Sequence, residues 1–211
     1  MARFSHSIPF PFLALLLSGG HSLIVYCRGV GDYLQLGTTL DDSVGEVIDK
    51  ASRALQFPYD HQEGPAAAFS RAAQLGASNG WSLPQPRSKV LAGSCNFSFS
   101  GIKSAFLHLT QTMNSQQLVS ERCNLARTFL DACTEHIVNR LGNACNVVGP
   151  SIQRLVISGG VARNNYIMNR YAPHRIRSRL RLINIDWVNR RIDSISTCTF
   201  RLHTTAPIMP Q

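Results

Sequence analysis

With 211 residues, 44% of them apolar, the chain is long enough to bury a sizeable core as one ordinary domain or two small ones. Lysine and arginine outnumber the acidic residues 21 to 12, and the formal charge of +9 suits either a polyanionic partner such as nucleic acid or simple solubility. The six cysteines are scattered without a C-x-x-C pair, which argues against a disulfide framework or a zinc site and for free thiols in a reducing compartment.

The first predicted element lies in residues 8–21, IPFPFLALLLSGGH. Pro9 and Pro11 would interrupt the helix of a secretory signal, and the apolar run is far shorter than the roughly 20 residues that span a membrane. The run SLIVYC that follows is strand-like. We therefore predict a β-hairpin whose turn is Ser-Gly-Gly-His, residues 18–21, and whose glycines allow positive φ.

A helix is predicted from TLDDSVGEVIDK, residues 39–50, with Asp42 as its N-cap and its end near Leu55. Asp42, Glu46 and Asp49 would share one face of this helix. Carboxylates stacked in this way repel each other by a few tenths of a kcal/mol per pair. Such a face would be tolerated where it meets a cation, a ribose hydroxyl or an amine. A solvated acidic face is the alternative, and the spacing alone favours it.

The segment CNFSFSGIKSAFLHLT alternates apolar and hydroxyl residues before it changes to a helical period. Phe97 and Phe99 would point to one side of an extended chain, and Ser98 and Ser100 to the other.

Two further helices are predicted, a short one in AAAFSRAAQLG that ends at Gly76 and an amphipathic one over residues 121–145. In the second helix we expect His136 to be a packed or partly exposed residue rather than a ligand.

The sequence RLVISGG, residues 154–160, repeats the pattern of an apolar strand that ends in Ser-Gly-Gly. Glycine turns at strand ends bring backbone N–H groups close to phosphate oxygens, because no Cβ intervenes. The two copies predict two similar halves that face a shared cleft. Coincidence between two hairpin turns is the alternative.

Four segments in this order resemble the TsaD family, including its mitochondrial OSGEP-like branch: FPFLALLLSGGH, GVGDYLQLGTTLDDSVGEVIDKASRAL, NFSFSGIKSA and VISGGVARN. The resemblance covers roughly residues 2–170. It implies an α/β fold of the actin-like, sugar-kinase-like (ASKHA) class, with two similar halves that are incomplete here. It also implies a tRNA modification, in which the threonylcarbamoyl group passes from threonylcarbamoyl-AMP to N6 of the adenosine beside the tRNA anticodon. The implied partners are threonylcarbamoyl-AMP and tRNA, and no membrane.

The resemblance further implies a set of substrate-binding residues, which are Leu17, Ser18, Gly19, Gly20, His21, Asp49, Gly64 and Asn164. The first five would surround the phosphate and the acyl end of the adenylate, and Asp49 would hold the ribose. Gly64 matches the glycine of the family's PGGP-like turn, and Asn164 the asparagine of its GGVxxN motif. Acyl transfer from a mixed anhydride needs a neutralised phosphate and an oriented amine more than an acid–base pair, so no residue is assigned a catalytic role.

The family uses a divalent metal ion, whose ligands we expect to be missing from this chain. Its H-x-x-x-H pair would lie upstream of ARFSH, and no C-T-D-N motif follows residue 170, where Asp186 and Asp193 lack the right neighbours. We therefore expect a TsaD-like core over residues 1–170, with two lobes around a nucleotide cleft, and a divergent basic tail over residues 171–211. The tail would be an out-of-frame or alternatively spliced end, or a genuine basic extension for RNA.

The function expected from these observations is that of a truncated threonylcarbamoyltransferase with weak or no activity. A non-catalytic module that pairs with a full-length homologue is the main alternative, since the family forms dimers. A metallopeptidase-like protein and a sugar-kinase-like ATPase are weaker alternatives. The resemblance implies a mitochondrial location, although MARFSHS is too short to count as a transit peptide.

Overall fold

The computed structural model describes residues 8–57, 64–77, 80–86, 91–171 and 181–184. Most of the tail expected over residues 171–211 lies outside this part of the chain, as do Asp186 and Asp193. The boundary between core and tail therefore stays a prediction.

Five strands form one sheet in the order β3-β2-β1-β4-β5. The strands are β1 (Phe12–Leu17), β2 (Ser22–Gly29), β3 (Asp32–Thr38), β4 (Arg154–Ser158) and β5 (Arg181–Asn184). Strand β2 is antiparallel to both of its neighbours, β1 and β3. Leu17 lies opposite Ser22 across the predicted hairpin, which is confirmed. Strand β4 runs parallel to β1, and β5 runs parallel to β4. The molecule is therefore of the predicted α/β class.

The helices within the described ranges are α1 (Val44–Ala54), α2 (Pro65–Leu75), α3 (Ser100–Gln111), α4 (Ser115–Val148), a 3₁₀ helix (Gly160–Arg163) and α5 (Asn165–Tyr171). None of them is both long enough and apolar enough to cross a membrane. Helix α4 begins earlier than the predicted residues 121–145, because a capping box starts it: the Asn114 side chain accepts from the Gln117 amide at 2.9 Å, and Gln117 Oε1 accepts from the Asn114 amide at 3.1 Å.

The core lies between the sheet and the helices. Alternate residues of β1, namely Leu13, Leu15 and Leu17, have no exposed surface, as the two-residue period of a strand requires. Phenylalanine rings fill the core between the helices. The ring centroid of Phe129 lies 5.9 Å from that of Phe69 and 4.7 Å from that of Phe106. These contacts hold α2, α3 and α4 together over the sheet.

The two Ser-Gly-Gly turns belong to neighbouring strands of this one sheet. Leu15 of β1 lies beside Ile157 of β4, and the two strands run in the same direction. The expectation that each turn lies in a separate half of the molecule is therefore wrong. Parallel neighbours need a long crossover, which helices α1 to α4 supply here, so two segments far apart in sequence end at one edge of the sheet.

Candidate functional site

The carboxyl ends of β1 and β4 place two glycine turns side by side, the first turn (residues 18–21) and the second turn (residues 158–160). Gly159 has a φ of 104°, and a Cβ at this position would lie 2.2 Å from the carbonyl oxygen of Leu17. Only glycine allows both this backbone conformation and this approach. The second turn is therefore packed directly against the end of β1.

Ser18 closes the first turn. Its amide donates to the carbonyl oxygen of His21 at 2.8 Å, and its Oγ accepts from the amides of His21 at 2.9 Å and Gly20 at 3.3 Å. Neither Gly19 nor Gly20 has a positive φ. The prediction that these glycines serve a turn with positive φ is therefore wrong, because the Ser18 hydrogen bonds close the turn without it.

The tip of the first turn is exposed to solvent at Gly19, Gly20 and His21. A Cβ added to either glycine would meet no atom within 4 Å. The fold thus gives no steric reason for glycine at these two positions, whereas a ligand that approaches the backbone would give one.

The start of α1 is bound to the first turn. Ser43 Oγ donates to the carbonyl oxygen of Gly19 at 2.5 Å, and the amide of Gly45 donates to the carbonyl oxygen of Ser18 at 3.3 Å. A Cβ on Gly45 would lie 2.6 Å from that same oxygen. Gly45 was not among the residues predicted for the site, although a glycine in the first turn of a helix is a signal of close packing.

The N-cap of α1 is Ser43, whose Oγ accepts from the Glu46 amide at 3.3 Å. The prediction that Asp42 caps this helix is therefore wrong by one residue. The carboxylate of Asp42 is instead held by two ammonium groups, Lys103 and, at 3.3 Å, Lys50. The hydrogen bond from Lys103, with a further one from Lys50, lowers the pKa of Asp42 against the opposing effect of burial.

The acidic face of α1 is partly neutralised by a cation, Lys50, which offsets the repulsion between the carboxylates. Lys50 Nζ lies 2.7 Å from Glu46 and 3.3 Å from Asp42. Asp49 is different, because its half-buried carboxylate makes no hydrogen bond within the described part of the chain. Burial raises the pKa of Asp49, and the charge of Arg53 opposes that rise.

Asp41 ties residues 98–100 to the start of α1. Its carboxylate accepts from Ser98 Oγ at 2.6 Å, Ser100 Oγ at 2.7 Å, the Phe99 amide at 2.8 Å and the Ser100 amide at 3.3 Å. Burial alone would raise the pKa of Asp41, but these four hydrogen bonds lower it below its ordinary value. The predicted alternation is confirmed, since Phe97 and Phe99 are buried while both serines face this carboxylate.

His136 lies behind these serines as a packed residue of α4, as predicted, with 1% of its surface exposed. Its Nε2 accepts from the Ser98 amide at 3.1 Å, and its ring packs edge-on against Phe99. Burial, assisted by the positive charge of Arg140 and opposed by Asp41, lowers the pKa of His136 to about 4. The imidazole is therefore neutral at physiological pH.

The remaining candidate positions lie on elements around the two turns. Gly64 has a φ of 75° and starts α2 directly before Pro65, and Asn164 Oδ1 accepts from the Ile167 amide at 3.2 Å at the start of α5. The Leu17 side chain is fully buried, so only its backbone is available at the site. Helix α1, which carries Asp49, contacts both α2 and the 3₁₀ helix.

The resemblance implies a divalent metal ion, but the described ranges contain no set of ligands for it. No group of three or more histidine, cysteine, aspartate or glutamate side chains there could hold a metal ion. His21 is exposed, and Nε2 of His136 is already occupied by the Ser98 amide. The described residues do not fit a metal centre, so we derive no step through one. Whether the family's ligands are missing from the whole chain stays a prediction.

Among solved structures, the chain is similar to HypF from T. kodakarensis, with a TM-score of 0.60 and 12% sequence identity over 82% of this chain and 31% of that one. At this identity the likeness concerns the fold alone. It confirms the prediction of an actin-like, ASKHA-type α/β fold, of which the described residues form one sheet with its helices.

Sequence comparison gives the family. A family model described as tRNA N6-adenosine threonylcarbamoyltransferase matches residues 1–183. The curated protein of that name from Wolbachia pipientis wMel is 36% identical over 175 residues, which are 82% of this chain and 50% of the relative. The protein of the same name from Chromobacterium violaceum is 40% identical over 161 residues, which are 75% of this chain and 45% of the relative. The chain thus spans about half the length of these relatives, and it belongs to the TsaD family.

Proposed function

We propose that the chain acts in the transfer of threonylcarbamoyl from threonylcarbamoyl-AMP to N6 of the adenosine beside the tRNA anticodon. The N6 amine attacks the carbonyl carbon of the mixed anhydride, the bond from that carbon to the phosphate oxygen breaks, AMP leaves, and N6 loses a proton. Such a reaction depends on the orientation of the amine and on the neutralisation of the leaving phosphate. The family membership and the exposed glycine turns support this proposal.

The observation that carries the proposal is the backbone of the first turn. Gly19 and Gly20 are exposed and have free space where a Cβ would be, so a phosphate or acyl group has access to their backbone atoms. Gly159 fixes the second turn beside them, at the carboxyl ends of two parallel strands. This edge is where α/β sheets commonly bind ligands.

The other candidate residues are proposed to bind the nucleoside part of the adenylate. The half-buried carboxylate of Asp49, which has no hydrogen bond in the described part of the chain, would accept from the ribose hydroxyls. Gly64 and Asn164 would flank the nucleotide at the starts of α2 and α5. Ser18 and His21 would contribute through the first turn, and Leu17 through its backbone.

Location, partners and level of activity are proposed on the same basis. The SGGH form of the first turn is typical of the bacterial and mitochondrial branch of the family taken together, and a mitochondrial location is proposed from the resemblance alone. The charge of +9 supports tRNA as a partner. We propose weak or no activity for this chain when it is tested alone. Pairing with a full-length homologue, or with a second copy, is the second candidate function. Nothing in the described ranges favours a metallopeptidase-like protein or a sugar-kinase-like ATPase.

Thermal unfolding with a non-hydrolysable analogue of threonylcarbamoyl-AMP tests the site. At a hundredfold excess over the dissociation constant, a bound ligand stabilises the folded chain by about 2.7 kcal/mol. We expect this shift for the wild type and for Gly29→Ala, whose added Cβ meets nothing at the far end of β2. We expect a smaller shift for Gly19→Ala, which folds equally well but crowds the ligand.

The outcomes separate the possibilities. A cooperative transition that ignores the analogue in the wild type would contradict nucleotide binding by this chain. If the analogue shifts the transition, tRNA acylation is then measured with the chain alone and with a full-length homologue added. Acylation that the chain raises only in the homologue's presence would support the pairing function. Acylation by the chain alone would support the proposed transfer and contradict only the proposal that its activity is weak or absent.

A further inference from the structure

Three consecutive residues connect the first turn with the start of α3. Asp41 binds residues 98–100, Asp42 binds Lys103 one turn into α3, and Ser43 binds the carbonyl oxygen of Gly19. The start of α1 is thus held on one side by the NFSFSGIK segment, while its other side holds the first turn.

Asp41 is firmly held by the residues on the side of α1 that faces away from the first turn. Both oxygens of the Asp41 carboxylate are occupied, by the hydroxyls of Ser98 and Ser100 and by the backbone amides of Phe99 and Ser100. Hydrogen bonds to an ionised carboxylate are about twice as strong as neutral ones. The Ser98 amide is in turn fixed to the buried imidazole of His136 in α4, the longest helix described.

Few hydrogen bonds join the start of α1 to the first turn and to β2. Besides the hydrogen bond from Ser43, the Val44 amide donates to the buried Ser22 Oγ at 3.1 Å, and the Gly45 amide donates to the carbonyl oxygen of Ser18 at 3.3 Å. A displacement of the start of α1 therefore moves the backbone of the first turn directly.

We propose that Asp41 is a positioning residue for the first turn. With Ser98 and Ser100 it fixes the start of α1, and through α1 it fixes the backbone atoms that bind the adenylate under the proposed function, on which this inference rests. Asp41 itself does not contact the ligand. The geometry of such a site must be held closely, since small misplacements of binding groups cost affinity and rate.

Binding of the non-hydrolysable threonylcarbamoyl-AMP analogue, measured by calorimetry on the full chain, gives the first test. Asp41→Asn keeps the size of the side chain but removes its charge and one acceptor, and we expect the analogue to bind about tenfold more weakly. Asp32→Asn is the matched control, because Asp32 is an exposed carboxylate bound to Arg28 in the β2–β3 hairpin. Its affinity should equal that of the wild type.

A second pair of variants tests the hydroxyl that Asp41 accepts from. Ser98→Ala removes this donor and should weaken analogue binding in the same direction as Asp41→Asn. Ser98→Thr keeps a hydroxyl at the same position and should restore the wild-type affinity. Equal affinities of the alanine and threonine variants would contradict the role of this hydrogen bond.

Amide hydrogen exchange without ligand tests the positioning independently of binding. In Asp41→Asn the amides of His21, Val44 and Gly45 should exchange several-fold faster, while the amide of Val25, opposite Ala14 in the β1–β2 ladder, keeps its wild-type rate. A uniform rise at all four amides would show a merely structural role and overturn the proposal. Unchanged exchange would overturn it as well.

The two readouts distinguish this inference from the proposed function. If the wild type does not bind the analogue, the proposed function fails, and hydrogen exchange alone decides whether Asp41 positions the turn. If the wild type binds and Asp41→Asn binds equally well, the positioning role fails and the proposed function stands.

Discussion

The backbone amide of Ser98 donates a hydrogen bond to Nε2 of His136 over 3.1 Å. Because Nε2 is the acceptor, the neutral imidazole carries its proton on Nδ1. Protonation of Nε2 would break this bond and place a charge in a site with 1% exposure, next to Arg140. His136 thus connects the stability of the fold to pH.

Stability is expected to fall as the pH drops from 6.5 to about 4. Burial lowers the pKa of His136 from 6.5 to about 4, so in this window the unfolded chain binds a proton that the folded chain does not. The loss amounts to about 3 kcal/mol across the window. Asp41 and Asp42, whose pKa values are lowered, lose their contribution at lower pH, below their ordinary value of 3.8.

Urea denaturation at several pH values measures this loss. In His136→Gln the slope of the free energy of unfolding against pH should become much shallower between pH 6.5 and 4. In His108→Gln, which alters an exposed histidine of α3, the slope should match that of the wild type. Identical slopes in all three proteins would contradict the assignment.

The two glycines of the second turn are expected to respond differently to alanine. Gly159→Ala meets the Leu17 carbonyl oxygen at 2.2 Å and has a φ of 104°, so it should cost at least about 2 kcal/mol of stability. Gly160→Ala meets nothing within 4 Å and should change stability by less than about 0.5 kcal/mol. Chemical denaturation of both variants checks this, and equal losses would mean that the turn does not pack on β1.

A glycine-to-alanine change is expected to have opposite effects in α1 and α4. Gly142→Ala lies in α4, where the added Cβ meets nothing, and should stabilise the chain by about 0.5–1 kcal/mol through helix propensity. Gly45→Ala gains the same propensity, but its Cβ would lie 2.6 Å from the Ser18 carbonyl oxygen. We expect it to destabilise the chain in thermal and urea unfolding. A stabilised Gly45→Ala variant would show that α1 does not bind the first turn this closely.

Asp49→Asn is expected to separate stability from binding. Burial raises the pKa of Asp49, which means that the fold disfavours its charge, so the neutral asparagine should leave stability at pH 7 equal or higher. The same change should weaken binding of the threonylcarbamoyl-AMP analogue by about tenfold or more, because a ribose loses its charged acceptor. Glu46→Gln on the same helix is the control and should bind normally. A large loss of stability in Asp49→Asn would indicate a structural carboxylate instead.

Local patterns in the sequence were sufficient for the hairpin, for α2 and for the two sides of the NFSFSG segment. Each of these depends on neighbours within a few residues, such as the period of two that buries Phe97 and Phe99. The predicted N-cap of α1, Asp42, is wrong by one residue, because aspartate and serine are equally good N-caps. The Asp42 carboxylate is bound instead by Lys103, which lies 61 residues further along the chain.

Contacts between distant segments could not be predicted in this way. Asp41 and Ser98 are 57 residues apart, and no local pattern distinguishes Asp41 from its neighbour Asp42. Positive φ was predicted for the glycines of the first turn, whereas of the two turns only the second has it, at Gly159, where the backbone also lies against the end of β1. Which strands become neighbours is decided by the packing of the helices between them.

The position of β1 between β2 and β4 has a consequence for how the chain folds during synthesis. Strand β2 follows β1 at once, but β4 begins at Arg154, so the other edge of β1 emerges long before its partner does. At typical synthesis rates that delay is roughly ten seconds. During it, an apolar strand edge is open to pairing with other chains, and closing the long loop to β4 is intrinsically slow. The yield of folded protein in a cell should therefore depend on how long this edge stays unpaired as well as on the stability of the finished fold.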